Sequence, residues 1–202
     1  MARRSDHTRE ELKELALKSA EELLNDNSSS ELSTRQIATK MGYTVGTLYQ
    51  IFKNLPDLLL HVNARTLKKL YEDCQNLDTN NQSAQDIILS YARVYLDFAH
   101  SHPRLWELIF DNDILSVEDL PDWYLSQVNA LFSLIEVQLK IIQPDVSGQE
   151  IIKTSRVLWS SVHGICTLSI KNNLFAESAC SSDDLIKSLI THYIRGWISE
   201  ID

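Results

Sequence analysis

The sequence predicts an all-helical protein, and three observations lead to that class. Glycine and proline are scarce, five and four in 202 residues, whereas β-proteins need a turn every 8–12 residues or so. Apolar residues recur at the three-and-four spacing of a helix face along most of the chain. Two Ser/Thr-x-x-Glu/Gln boxes stand directly ahead of such stripes and mark helix starts. The pattern predicts about nine helices and no strand.

The first box, Thr8-Arg9-Glu10-Glu11, opens a helix with Leu12, Leu15, Ala16, Ala20, Leu23 and Leu24 on one face. The polar run 25-NDNSSS-30 ends it. The second box, Ser33-Thr34-Arg35-Gln36, opens a short helix carrying Ile37, Ala38 and Met41. Gly42 follows, where a positive φ stops a helix at little cost. Thr44 is the expected N-cap of a third short helix with Leu48, Tyr49 and Phe52. Asn54 caps a fourth, with Pro56 in its first turn, where a missing amide costs little. That helix continues through Leu58, Leu59, Val62, Leu67, Leu70 and Tyr71. Further helices are expected over 82–101, from Pro103 through Phe110, and over 118–142, 148–173 and 183–200.

Composition narrows the class. Hydrophobic residues make up 44% and charged residues 23%, ordinary values for a globular chain. Cys74, Cys166 and Cys180 are scattered and odd in number, so no disulfide framework or CxxC pair is read. The N-terminal segment has no apolar core of a signal peptide. No apolar run approaches the 18 or so residues of a membrane span, and a reducing cytoplasm is the expected location.

Charge is uneven. The net charge is -9, yet residues 1–53 hold eight basic and eight acidic residues, so the whole excess lies in residues 54–202. From Leu32 to Leu55 there is no Asp or Glu, while Arg35, Lys40 and Lys53 stand there. A short helix, a glycine turn and a second short helix form a helix-turn-helix, whose second helix enters the major groove of DNA. That task demands no carboxylate against the phosphates, small residues at the helix start, and free amides for phosphate oxygens. The window meets all three demands. An acidic body would by itself repel nucleic acid, so only the first quarter of the chain is expected to approach it.

The stretch 33-STRQIATKMGYTVGTLYQIFKNLPDLL-59 resembles the TetR family of bacterial transcriptional regulators. Ser33, Ile37, Ala38, Gly42, Gly46, Thr47, Leu48, Tyr49, Phe52 and Leu58 match the family pattern without a gap. The stretches 91-YARVYLDFAHSHPRLWELIF-110 and 158-LWSSVHGICTLSI-170 resemble one class of the family's C-terminal domain, with its FA…HP and Trp…His-Gly segments. The chain departs from the pattern at Val45, at Ile51 (usually His) and at Leu55 (usually Lys). Lys53 stands in for one lost phosphate contact, and Val45 is expected against a thymine methyl.

The resemblance implies an N-terminal three-helix DNA-binding domain, 1–54, and a larger ligand-binding and dimerisation domain, 55–202. It implies a phosphate contact by the Tyr49 hydroxyl. Thr34, Arg35, Thr44, Val45, Gly46, Thr47, Gln50 and Lys53 complete the expected DNA-facing set. Arg35 and Lys40 are read as backbone anchors or as solvated charges, and Arg3 and Arg4 as a basic arm or a loose terminus. A ligand site is expected from Tyr91, Tyr95, Phe98, Trp106, Phe110, Trp123, Phe132, Trp159 and His163, taking a small hydrophobic or aromatic effector. Leu158, Val162, Leu189, Ile190, Tyr193, Ile194 and Trp197 are expected at a homodimer interface, with Ser160, Ser161 and Gly164 allowing close approach; the rival reading is burial within the chain alone.

The partners expected are therefore a double-stranded DNA operator, an effector and a second copy of the chain, with no membrane and no cofactor. No catalytic constellation is read. His100 and His102 point apart on a helix, and His163 with Cys166 is the one pair at metal-ligand spacing, read alternatively as a buried histidine satisfied by hydrogen bonds. The function expected is a ligand-responsive repressor. The other reading is a helical ligand-binding or scaffold protein of the same fold without DNA affinity.

Overall fold

A computed structural model of the chain describes residues 7–26, 32–110, 120–174 and 180–201. Among these residues there are nine α-helices and no strand. In order they are α1 (Arg9–Asn25), α2 (Thr34–Met41), α3 (Val45–Tyr49), α4 (Leu55–Gln75), α5 (Ala84–Ser101), α6 (Pro103–Leu108), α7 (Asp122–Ile142), α8 (Gly148–Ile170) and α9 (Ser182–Ile201).

The chain divides into two compact units. One holds the described residues through Thr66 together with those of Arg104–Tyr124; the other holds Leu67–Pro103 and those from Leu125 on. The division falls inside α4, which is continuous across it.

In the first unit both capping boxes are formed. The Glu11 amide donates to Thr8 Oγ1 at 3.2 Å and the Thr8 amide to Glu11 Oε2 at 2.6 Å. Ser33 and Gln36 repeat the exchange at 3.3 and 2.9 Å. Gly42, at φ 74°, ends α2 in the left-handed conformation. The Asp57 amide donates to Asn54 Oδ1 at 2.8 Å, and Asp57 accepts from the Lys53 amide at 2.8 Å. α2 packs on α1 and α3 on α2, around buried Leu17, Ala20, Ile37, Ala38, Leu48, Phe52 and Leu58. Phe52 lies beyond the end of α3, which is shorter than its apolar pattern suggests. Fully buried Asn63 donates through Nδ2 to the Leu108 carbonyl at 3.0 Å. It also bonds the buried Tyr124 hydroxyl, whose pKa burial pushes up to about 12.

In the second unit α9 packs on α8 and α5, and α5 on α8. Ser83 and Ser147 cap α5 and α8. Arg93 pairs bidentately with Asp183 at 2.6 and 2.8 Å. α7 begins at Asp122, directly after Pro121, because the residue ahead of a proline avoids helical angles; positions 118 and 119 lie outside the described residues. α8 stops at Ile170, before the expected 173, where Asn172 takes a positive φ of 53°. Asparagine tolerates that region better than other side chains. α7 is long and apolar enough, by length and composition, to cross a membrane, although Glu136, Gln138 and Lys140 interrupt its apolar residues.

Candidate functional site

The helix-turn-helix presents the window without acids as an outer face. Leu48 is buried beneath it, while Tyr49 stands 54% exposed and Thr44, Gly46, Gln50, Arg35 and Lys53 are exposed. Thr34, Val45 and Thr47 are half-buried. The exposure follows from helix geometry: Leu48 faces the small core, so its neighbours Tyr49 and Thr47 turn outward or sideways. Thr44 caps α3 without a side-chain bond to its amides; instead its Oγ1 lies 3.2 Å from Thr47 Oγ1. The first amides of α3 are thus left free of that side chain, in the place where anions bind helix starts.

A Cβ added at Gly46 would meet only Thr44 Oγ1, at an ordinary 3.7 Å. The chain's own packing therefore does not require glycine at that position. Lys40, expected to stand unopposed, is paired with Glu22 of α1 at 3.0 Å. Both groups are well exposed, so the pair contributes little, but it removes one of three free cations from the window. Arg3 and Arg4 lie outside the described residues.

In the second unit, four of the expected ligand residues come together on α5, α7 and α8. The Tyr95 hydroxyl lies 2.9 Å from His163 Nδ1. Trp159 sits between His163, with centroids 5.4 Å apart, and Phe132, at 5.5 Å and nearly perpendicular. Arg156 lies over the Phe132 ring, 3.4 Å from its centroid, and bonds Glu136 at 2.8 Å. Tyr91, one turn before Tyr95, bonds Gln138. Burial holds His163 below the usual histidine pKa and raises that of Tyr91.

The other expected ligand residues lie apart from this cluster. Phe98 is buried and stacks on His102 at 4.8 Å. Trp106, Phe110 and Trp123 belong to the first unit, where Trp106 meets Phe110 at 5.3 Å and Trp123 lies on His61 at 4.8 Å. Glu136, Gln138, Arg156 and Thr167 were not anticipated. The visible signal was a pair of opposite charges, Glu136 and Arg156, inside otherwise apolar helix faces.

Five of the seven residues expected at a dimer interface are covered within one protomer. Leu158 is 2%, Val162 5%, Ile190 1%, Ile194 1% and Trp197 5% exposed. These side chains form the core of the unit itself and have no surface left for a partner. Leu189 and Tyr193 are half-buried. Exposed Leu168 and the open space at Gly164 and Gly196 add accessible surface on the same two helices.

His163 and Cys166 do not form a metal site: the Tyr95 hydroxyl and Thr167 Oγ1 lie 2.9 and 3.4 Å from the two ring nitrogens, and Cys166 is a buried thiol whose pKa is pushed up to about 12. No group of three metal-ligating side chains occurs among the described residues.

The family profile described as "Tetracyclin repressor-like, C-terminal domain" matches residues 88–193. No curated protein matches the sequence. Solved structures share the fold, among them the following three. A TetR transcriptional regulator from Streptomyces coelicolor is 15% identical with a TM-score of 0.71, covering 91% of this chain and 95% of its own. RolR in complex with resorcinol is 13% identical with a TM-score of 0.66, covering 93% and 87%. The repressor FadR of Thermus thermophilus, in complex with lauroyl-CoA, is 15% identical with a TM-score of 0.62, covering 90% and 92%.

Proposed function

The chain belongs to the TetR family of DNA-binding transcriptional regulators, which are not enzymes, and on that premise we propose that it is an operator-binding repressor released by a small hydrophobic or aromatic effector. In this reading residues 1–54 are the DNA-binding domain and 55–202 the effector and dimerisation domain. The observation that carries it is the exposed face without carboxylates around Tyr49, set on a chain whose remainder holds all of the negative excess. Tyr49, Thr34, Thr44, Thr47, Gln50, Arg35 and Lys53 would meet phosphates or bases, with Gly46 giving the backbone close approach and Val45 a methyl contact.

The protein would act as a homodimer in the cytoplasm, its two recognition helices about 34 Å apart on one face of the duplex. Leu189, Tyr193, Leu168 and the bare backbone at Gly164 and Gly196 are the accessible surface that supports such an interface. The Tyr95–His163–Trp159–Phe132 cluster supports an effector site, as does the capture of resorcinol and of lauroyl-CoA by two proteins of the same fold. α4 is continuous through residues of both units and would carry the effect of the ligand to the DNA-binding domain. Moving two heads out of register breaks simultaneous engagement of both half-sites.

Leu55, in place of the family's usual lysine, favours a second reading in which DNA affinity is lost and ligand binding remains. A gel shift on DNA upstream of the protein's own gene decides between them. The repressor reading expects binding that falls steeply between about 50 and 200 mM salt, because each phosphate contact releases counterion. Absence of a shifted band at the lower salt would leave the second reading.

A further inference from the structure

We propose that the effector is a neutral, flat ring carrying a hydroxyl or N–H donor, held by Tyr91, Tyr95, Phe132, Gln138, Trp159 and His163. The proposal rests on the effector reading above and narrows it to a charge class and a hydrogen-bonding pattern.

Shape comes first. Tyr95, Phe132, Trp159 and His163 are each half-buried, whereas Leu158, Val162 and Cys166 on the next face of α8 are fully covered. Part of each side chain thus stays accessible at a place where aromatic planes meet at 5.4–5.5 Å. Such surfaces take flat apolar partners through offset or edge-on contact.

Charge decides the class. The one cation beside the cluster, Arg156, is committed to Glu136 at 2.8 Å and to Ser155 Oγ at 2.9 Å, with its guanidinium lying on Phe132. Both nitrogens of His163 are engaged, by the Tyr95 hydroxyl and by Thr167 Oγ1, and burial disfavours its charged form. Among the described residues no uncompensated positive charge faces the site. A carboxylate or phosphate entering it would lose its water and gain no charged partner.

The donor requirement comes from Gln138. Its side chain bonds that of Tyr91, and its Oε1 is buried without a hydrogen-bond partner. Buried acceptors are almost always satisfied in folded proteins. A hydroxyl or N–H on the ligand, one helical turn from the Tyr95–His163 pair, would satisfy this one.

Three probes built on one naphthalene ring separate these claims on the full-length protein: 2-naphthol, 2-naphthoate and 2-methylnaphthalene, read by thermal melting and tryptophan fluorescence. The expected order is 2-naphthol tightest, 2-methylnaphthalene several-fold weaker, and 2-naphthoate weaker than 2-naphthol by about ten-fold or more. Gln138→Leu should bring 2-naphthol down to the level of 2-methylnaphthalene. Binding of 2-naphthoate as tight as that of 2-naphthol overturns the proposal, and so does equal binding of the two neutral probes by the unaltered protein. Stabilisation by dodecanoate alone would keep the effector reading and overturn this one. A melt unmoved by all four, in protein that still shifts its operator, removes the effector reading itself. The comparison on the unaltered chain stands even where the Gln138 variant folds poorly.

Discussion

The Nδ1 of His7 and the hydroxyl of Tyr43 lie 2.6 Å apart, across 36 positions of sequence. Their rings also meet edge to face, with centroids at 5.9 Å. The contact ties the residue just ahead of α1 to the turn between α2 and α3. Gly42 sets that turn with its positive φ, and Thr44 leads from it into α3, so the start of the recognition helix is braced from two sides. One hydrogen bond of this kind contributes about 0.5–1.5 kcal/mol net. His7→Ala and Tyr43→Phe are each expected to lower stability by about that amount, with a coupling of similar size in a double-mutant cycle. Additive single effects would mean that the two groups do not hold each other in solution.

Gly46 separates folding from DNA binding. An added methyl meets nothing closer than 3.7 Å in the protein, and the φ of Gly46 is not in the left-handed region. Alanine also favours a helix over glycine by about 1 kcal/mol. Gly46→Ala is therefore expected to melt at the same temperature as the parent or a few degrees higher, while operator affinity in a gel shift falls by about ten-fold as the methyl meets the duplex. Parental affinity in the variant would show that the α3 backbone does not come close to DNA.

Tyr49 and Lys53 are both exposed but should fail in different ways. Tyr49→Phe removes one neutral donor, so affinity should drop by about 1–2 kcal/mol with the salt dependence unaltered. Lys53→Ala removes a charge, so the slope of log affinity against log salt should shrink by about one. Neither change should move the melting temperature by more than a degree or two, since neither side chain is part of the core. A changed slope for Tyr49→Phe, or an unchanged one for Lys53→Ala, would reassign the roles.

The helix-turn-helix was legible because its determinants are local. Two capping boxes, a glycine stop and a missing run of acids can be read within a few residues of one another, and the caps at Thr8, Ser33 and Asn54 are formed as expected. The second unit was legible only as helices. Its site depends on Tyr95 meeting His163, 68 positions away, and its frame on Arg93 meeting Asp183, 90 positions away; no periodicity encodes such partners. The wide apolar arc of α9 suggested an outside partner, yet Ile190, Ile194 and Trp197 are spent on the core of the same chain, where α9 lies against both α5 and α8. An arc of that width does not reveal how much of it the chain itself covers. Trp106, buried, and Trp123, 39% exposed, both belong to the first unit; composition does not show which unit holds a ring.

His163 gives the fold a definite response to acid. Burial lowers its pKa, so between the ordinary histidine value of about 6.5 and its own lower one the unfolded chain holds a proton that the folded chain refuses. The unfolded state then binds more protons, and stability falls as pH falls through that window. Glu11, Asp183 and Asp184, whose carboxyls are held below their usual range, lose their contributions only nearer pH 4 and below. Glu21, whose carboxyl burial raises, acts in the opposite sense but equally with or without His163. The melting temperature is therefore expected to decline as pH falls below about 6.5, and His163→Gln, which keeps polar atoms near Tyr95, to show a shallower decline. The difference between the two curves cancels the other groups; a flat difference would mean that the imidazole is protonated as readily in the folded protein as in the unfolded chain.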